Sequence, residues 1–168
     1  MKLPTLETDH LILRSLTTAD AAQVFAYAGD ERVARMTHWN RHQSLRDTRA
    51  FIARNGAHTM IWGIEHKESR TIIGECGLTH ITQARADIYY ALGYNWWGKG
   101  LAPQAVNAVI DYSFHELRLT QLDAWILKEN TRSHRVAQKV GMECMMKYPQ
   151  HWYANHTLHD VYLYTKQQ

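Results

Sequence analysis

Cysteine is scarce. The 168 residues include two, Cys76 and Cys144. They lie far apart and at no metal-ribbon spacing, which excludes a disulfide framework and a zinc ribbon. Proline is low at three, and nine glycines are scattered along the chain. Collagen and low-complexity sequence are thereby excluded. No apolar run approaches the roughly 18–20 residues that a membrane helix needs. Residues 1–10 hold Lys2, Glu7 and Asp9 and no apolar core, so they do not read as a signal peptide. Free thiols without such a leader point to a reducing compartment, and a cytoplasmic location is the expectation.

What is present is ordinary globular material. Hydrophobic residues make up 45% and charged residues 21%, so disorder is excluded. No repeat and no Gly/Ser/Pro-rich linker divides the chain. It reads as one domain over residues 1–168, with its motifs between residues 9 and 166. The net charge of +3 allows an anionic ligand without requiring one. Arg32, Arg35, Arg41, Arg46, Arg49 and Arg54 are interleaved with acids. They read as a solvated helical face rather than a nucleic-acid footprint.

Residues 10–14 read as a strand, and Thr17 and Asp20 then open a helix as a capping-box variant. Ser44 and Asp47 repeat the pattern, with a stop near Asn55-Gly56. Residues 59–65 and 71–78 form a hairpin, and residues 86–92 a further strand. Ala102, Ala105, Val106, Val109, Ile110 and Phe114 recur at helical spacing over residues 102–117. A strand follows over 122–127. Asn130 caps a helix that ends before Gly141. A strand over 158–165 closes the chain. This order predicts an α/β or α+β fold around a single sheet.

The informative stretch is Tyr89-Tyr90-Ala91-Leu92-Gly93-Tyr94-Asn95-Trp96-Trp97-Gly98-Lys99-Gly100-Leu101-Ala102. A strand runs into a glycine-bearing loop and then into the start of a strong helix. Free backbone N–H groups and the positive helix end converge there, which suits phosphate. Gly93-x4-Gly98-Lys99 imitates a nucleotide-binding P-loop, but Gly100 stands where the magnesium-binding hydroxyl belongs. The dinucleotide-binding pattern fails as well, because no third glycine follows.

With these motifs the sequence resembles the GNAT-type N-acetyltransferase superfamily, in particular its RimJ/RimL-like branch of ribosomal-protein alanine acetyltransferases. The resemblance runs through Thr8-Asp9-His10-Leu11-Ile12-Leu13-Arg14, Ile73-Gly74-Glu75-Cys76-Gly77-Leu78, the Trp97–Ala102 loop and the stretch from Asn130 to Met142. It implies a mixed, mostly antiparallel sheet of six to seven strands splayed in a V, with about four helices. It implies acetyl-CoA as co-substrate, bound by Tyr90, Ala91, Leu92, Trp97, Gly98, Lys99, Gly100, Leu101, Ala102, Asn130 and Ser133. Asn95 stands where the family's loop usually has Arg or Gln, a departure that leaves the loop backbone intact. Lys99 adds charge to the loop or faces solvent. The Leu92 backbone N–H would face the developing oxyanion. Ser133 would lie near the sulfur, to protonate or hydrogen-bond the leaving thiolate. Asn130 would contact the pantetheine arm as well as cap its helix.

The acceptor is then an amine, either a small molecule or a protein N-terminus, which attacks the thioester directly. Its proton goes to Glu75 as first candidate, to Asp87 or Asp123, or to a water chain. Cys76 reads as a buried apolar side chain rather than a nucleophile. Trp39, Trp152 and Tyr153 are candidates to line the acceptor site. His151, His156, His159 and Asp160, and the pair His38 and His42, lack a complete zinc spacing, so no metal is expected. Residues 151–160 read as a loop entering the last strand. Dimers are common among such proteins, and a homodimer is compatible with the reading; no membrane partner is expected. The alternative function is a non-catalytic acyl-CoA-binding module.

Overall fold

A computed structural model describes residues 3–37, 39–53, 59–154 and 157–168, apart from the side chains of residues 152–154. The strands are β1 (Leu6–Glu7), β2 (Leu11–Ser15), β3 (Met60–His66), β4 (Thr71–Thr79), β5 (Arg85–Leu92), β6 (Gln121–Leu127), β7 (Glu143–Ala154) and β8 (Thr157–Gln167). The helices are α1 (Ala21–Ala28), α2 (Glu31–Ala34), α3 (Leu45–Ile52), α4 (Leu101–His115) and α5 (Thr131–Lys139). The strands form one sheet in the order β1-β2-β3-β4-β5-β6-β8-β7.

Every neighbouring pair is antiparallel except β5 and β6. That parallel pair is short: Arg85, Ala86 and Asp87 face Gln121, Leu122 and Asp123, and the ladder then stops. Beyond it β5 stays with β4 as far as Leu92 opposite Gly74. β6 stays with β8 as far as Leu127 opposite Val161. The sheet therefore opens into a V between the ends of β5 and β6.

Periodicity decides which face each helix covers. Leu101, Ala105, Val106, Val109, Ile110 and Phe114 of α4 are buried against Leu13, Trp62, Ile64, Leu78 and Ile88 on one sheet face. Ala21, Val24, Tyr27 and Ala28 of α1 and Ile52 of α3 pack with Ile61 and Ile72 on the other. The Asp20 carboxylate accepts the Thr17 N–H at 2.8 Å and closes the 3-10 turn over Thr18–Asp20 that leads into α1, and the Ser44 hydroxyl accepts the Asp47 N–H at 3.3 Å at the start of α3. Among the described residues no helix is long and apolar enough to cross a membrane.

Among the described residues the counts exceed the expectation: eight strands stand against six to seven, and five helices against about four. The two-residue β1 and four-residue α2 are too short to show periodicity. The larger correction is β7, Glu143–Ala154, where no strand was expected: residues 151–154, read as part of a loop, continue this strand, and β8 begins at Thr157, one residue before the strand expected over 158–165. Lys147, Pro149, Gln150 and His151 break the alternation, and the pairing with β8 shifts between Cys144 and Met146 and between Tyr148 and Trp152. Asn55-Gly56, read as the stop of α3, lies outside the described residues.

Candidate active site

The splay leaves one edge of β5 without a strand. Gly93 N–H donates to the Ile73 carbonyl at 2.8 Å. Antiparallel alternation then turns the amide and carbonyl of Leu92 away from β4, toward the opening of the V. The Leu92 carbonyl accepts from Trp97 Nε1 at 2.7 Å, which ties the loop back onto the strand end. Tyr90 spans the gap, its hydroxyl donating to the Ser133 carbonyl at 2.9 Å.

Beyond Leu92 the loop reaches α4. Gly98 and Gly100 take positive φ of 76° and 73°, where an ordinary side chain is strained. A Cβ at either would meet nothing within 4 Å, so the backbone there is open to a ligand. No side chain caps the start of α4, and its first turn holds no acid. A cavity of about 330 Å³ lies at this point, lined by Tyr90 to Leu92, Trp96 to Pro103, Asn130 and α5 residues including Ser133. Four cations border it: Lys99, Arg132, Arg135 and Lys139. Lys99 Nζ lies 4.7 Å from the Trp96 ring centre and the Arg132 guanidinium 4.5 Å from that of Trp97. Backbone donors, a free helix start and clustered cations are the donor set that a pyrophosphate-bearing ligand requires.

A second cavity, of about 750 Å³, lies across the V against α1 and α3. It shares Met36, Thr37, Tyr90, Asn130 and Ser133 with the first. Its walls include Trp39, Phe51, Tyr89 and Trp125, with Glu75 and Asp87 on the sheet. Glu75 is 2% exposed and accepts from the Tyr27 hydroxyl at 2.7 Å. Burial pushes its carboxyl up to about 7, against the lowering effect of that hydrogen bond. Glu75 sits opposite Ala91, one residue from Leu92. Gly74 makes this closeness feasible, since a Cβ there would run into the Ala91 carbonyl and lie 2.9 Å from Leu92 Cα.

The residues expected to hold a cofactor, Tyr90 to Leu92 and Trp97 to Ala102 together with Asn130 and Ser133, all line the smaller cavity, and Trp96, which was not among them, lines it too. Asn130 caps α5, its Oδ1 accepting from Ser133 N–H at 3.1 Å, while its Nδ2 donates to the Met36 carbonyl at 2.7 Å. Arg132, Arg135 and Lys139 were missed; their spacing of three and four along one helix face was the available signal. Trp39 lines the larger cavity, and its buried Nε1 has no hydrogen-bond partner among the described residues. Arg41, read as part of a solvated face, lines that cavity too. Arg32 and Arg35 do lie on the exposed surface, paired with Asp30 and Glu31.

The alternative bases fare differently. Asp87 pairs with Thr79 at the far end of the ladder, four residues from Ala91, or about 13 Å along the strand. Its carboxyl is raised by burial and meets His80 Nδ1 at 3.0 Å. Asp123 lines neither cavity; it accepts from Thr165 Oγ1 at 2.6 Å and from Gln121. Cys76 is buried, and burial raises its thiol far above the ordinary range. The side chains of Trp152 and Tyr153 lie outside what is described, as do His38 and His156. His42 meets Thr48 Oγ1 at 3.0 Å, and His151 stacks on Trp125 at 5.7 Å. Among the described residues no three His, Cys, Asp or Glu side chains converge as a metal site.

Comparison with known proteins agrees with this arrangement. The family model for the acetyltransferase (GNAT) domain matches residues 10–143. The uncharacterized N-acetyltransferase YoaA of Bacillus subtilis is 30% identical over 169 residues, covering 96% of each chain. The crystal structure of a GNAT-family acetyltransferase from Bacillus anthracis superposes with a TM-score of 0.89 at 23% identity, covering 98% of each chain. The ribosomal L7/L12 alpha-N-protein acetyltransferase RimL, in complex with coenzyme A, superposes with a TM-score of 0.87 at 18% identity, again covering 98% of each. The chain therefore belongs to the GNAT acetyltransferase family.

Proposed function

We propose that this chain, as one domain in the cytoplasm, transfers the acetyl group of acetyl-CoA to a primary amine, either a protein N-terminus or a small amine, by direct attack. The observation that carries the reading is the meeting of two cavities at Tyr90, Asn130 and Ser133. One has the chemistry for a phosphorylated donor, and the other holds a buried carboxyl. RimL, which shares the fold, is an N-terminal protein acetyltransferase with coenzyme A bound. A spermidine N-acetyltransferase from Vibrio cholerae, with a TM-score of 0.83, acts on a small amine. Both acceptor classes are therefore carried forward. The free thiols of Cys76 and Cys144 fit a reducing compartment.

Acetyl-CoA supplies the thioester, whose carbonyl carbon bonds to the amine nitrogen as its C–S bond breaks. The Gly98–Leu101 backbone, with Lys99, Arg132, Arg135 and Lys139, holds the phosphates. Glu75 takes a proton from the incoming ammonium and leaves a free lone pair for attack. The Leu92 N–H donates to the carbonyl oxygen as negative charge grows there, a contribution of about 3 kcal/mol for a well-placed donor. Ser133 Oγ passes a second proton from that nitrogen to the departing sulfur, and the third stays on the amide formed. Holding both reactants at one junction supplies much of the acceleration, because the alignment is made before the bond forms.

The test is thiol release from acetyl-CoA against amino acids, polyamines, aminoglycosides and N-terminal peptides, with Gly100→Glu in parallel. The variant puts a carboxylate where phosphate is held. Release with one acceptor class, lost in Gly100→Glu, is the expected result. A rise in melting temperature with acetyl-CoA but no release with any acceptor favours the non-catalytic binding module. No rise at all contradicts the assignment.

A further inference from the structure

Tyr27 has no place in the acetyl-transfer step as derived above, yet it is among the most enclosed polar side chains near the site. It is 3% exposed, on the last turn of α1. Its hydroxyl donates to Glu75 Oε2 at 2.7 Å, and Oε1 has no hydrogen-bond partner among the described residues. The same helix is tied to β4 a second time. Gln23, one turn earlier on the same helix face, accepts the Ile72 N–H through its side-chain oxygen at 2.6 Å. Tyr27 also packs on the strand end: a Cβ on Gly93 would come within 3.3 Å of Tyr27 Cβ. One rigid helix thus touches the carboxyl and the residue that follows Leu92.

We propose that Tyr27 is a positioning residue: its hydroxyl holds Oε2 of Glu75 in a fixed direction and leaves Oε1 to take the acceptor's proton. This rests on the role given to Glu75. A carboxylate with two free oxygens in a buried strand could rotate, whereas one anchored by a short hydrogen bond presents a single oxygen to the cavity. The anchor also favours the charged form of Glu75 against burial. The phenol itself stays protonated, since burial and the carboxylate beside it raise it well above its ordinary value. It is therefore a donor at every working pH. Among the described residues, Tyr89 on β5 and Cys76, the next residue of β4, lie beside Glu75 and are held neutral by burial, β3 presents Gly63 opposite, and Arg41, His42, Asp47, His80 and Asp87 line the same cavity. Neither Tyr89 nor Cys76 donates a hydrogen bond to the carboxyl among those described.

Tyr27→Phe removes one oxygen and leaves the ring. Two readouts on the full chain decide the matter. The first is titration of the Glu75 side-chain carboxyl carbon by 13C NMR, with no ligand present. The second is the pH profile of kcat/KM with the fastest acceptor of the amine panel, for wild type, Tyr27→Phe and Glu75→Gln. The expected result is a carboxyl midpoint displaced upward by about one pH unit in Tyr27→Phe. The acid limb should move with it, giving about a fivefold lower rate near neutrality, approaching about tenfold at lower pH, and a rate within about threefold of wild type on the alkaline side. A midpoint that does not move overturns the proposal, as does a loss of rate equal at every pH, which is how a purely structural residue behaves. If Glu75→Gln keeps the wild-type profile, the role of Glu75 falls and Tyr27 with it. If Glu75→Gln abolishes the acid limb while Tyr27→Phe leaves it in place, Tyr27 alone falls.

Discussion

Burial holds the Glu75 carboxyl at about 7, against 4.5 for an ordinary glutamate. Between those values the folded chain keeps a proton that the unfolded chain has lost. Stability therefore falls as pH rises through this window. At about 1.4 kcal/mol per unit, the full cost above it is roughly 3 kcal/mol. In the proposed reaction the same shift gives the acid limb of activity, because Glu75 must be ionised to accept a proton. Glu75→Gln should thus raise the melting temperature by several degrees at about pH 8.5 and change it little at about pH 5. It should also lower kcat by about 10²–10³-fold. Thermal melts at the two pH values check the first part, and an equal gain at both would contradict it. Glu75 was legible in the sequence because an acid set among glycines on an apolar strand has no packing purpose of its own. Arg132, Arg135 and Lys139 were less so, because a basic helix face usually serves solvent. Only the fold brings them to Lys99.

At the scale of elements, the active strand ends depend on missing side chains. Gly74 lets β4 approach β5 where Leu92 turns its amide outward, and Gly77 makes room for the Tyr89 ring, which a Cβ there would meet at 2.6 Å. Gly74→Ala should push the Ala91–Leu92 backbone away, costing about 2 kcal/mol or more of stability. Its acetyl-transfer rate should fall further than the stability loss explains, since the donor at Leu92 moves. Denaturant unfolding beside kcat on the folded fraction measures both; a variant with normal kcat would contradict the role of the strand end. The elements that position the site carried strong sequence signals: α4 by its apolar period, β4 and β5 by apolar and aromatic runs, and α5 by its Asn130 cap. β7 carried little. It is an edge strand, exposed along most of its length and shifted twice in register against β8, so its residues do not alternate as a buried strand's would.

For the whole molecule, the governing feature is the short parallel contact of three residue pairs between β5 and β6. It joins two antiparallel halves and then lets them part. The parting leaves room for α1 and α3 to wall one cavity and for α4 and α5 to wall the other, and Tyr90 and Ser133 close the junction. The splay was implied by family resemblance and not by periodicity, because local patterns do not reveal where a ladder stops. The wall of the larger cavity was only partly legible: Trp39 was singled out, but Arg41, from the same segment outside any helix or strand, was read as part of a solvated face. The most direct test of the account is a crystal structure of the chain with acetyl-CoA. The account predicts the phosphates on the Gly98–Leu101 backbone and the thioester oxygen about 3 Å from Leu92 N, with the acetyl group facing the Glu75 cavity. An acetyl group lodged away from the junction of the two cavities would contradict it.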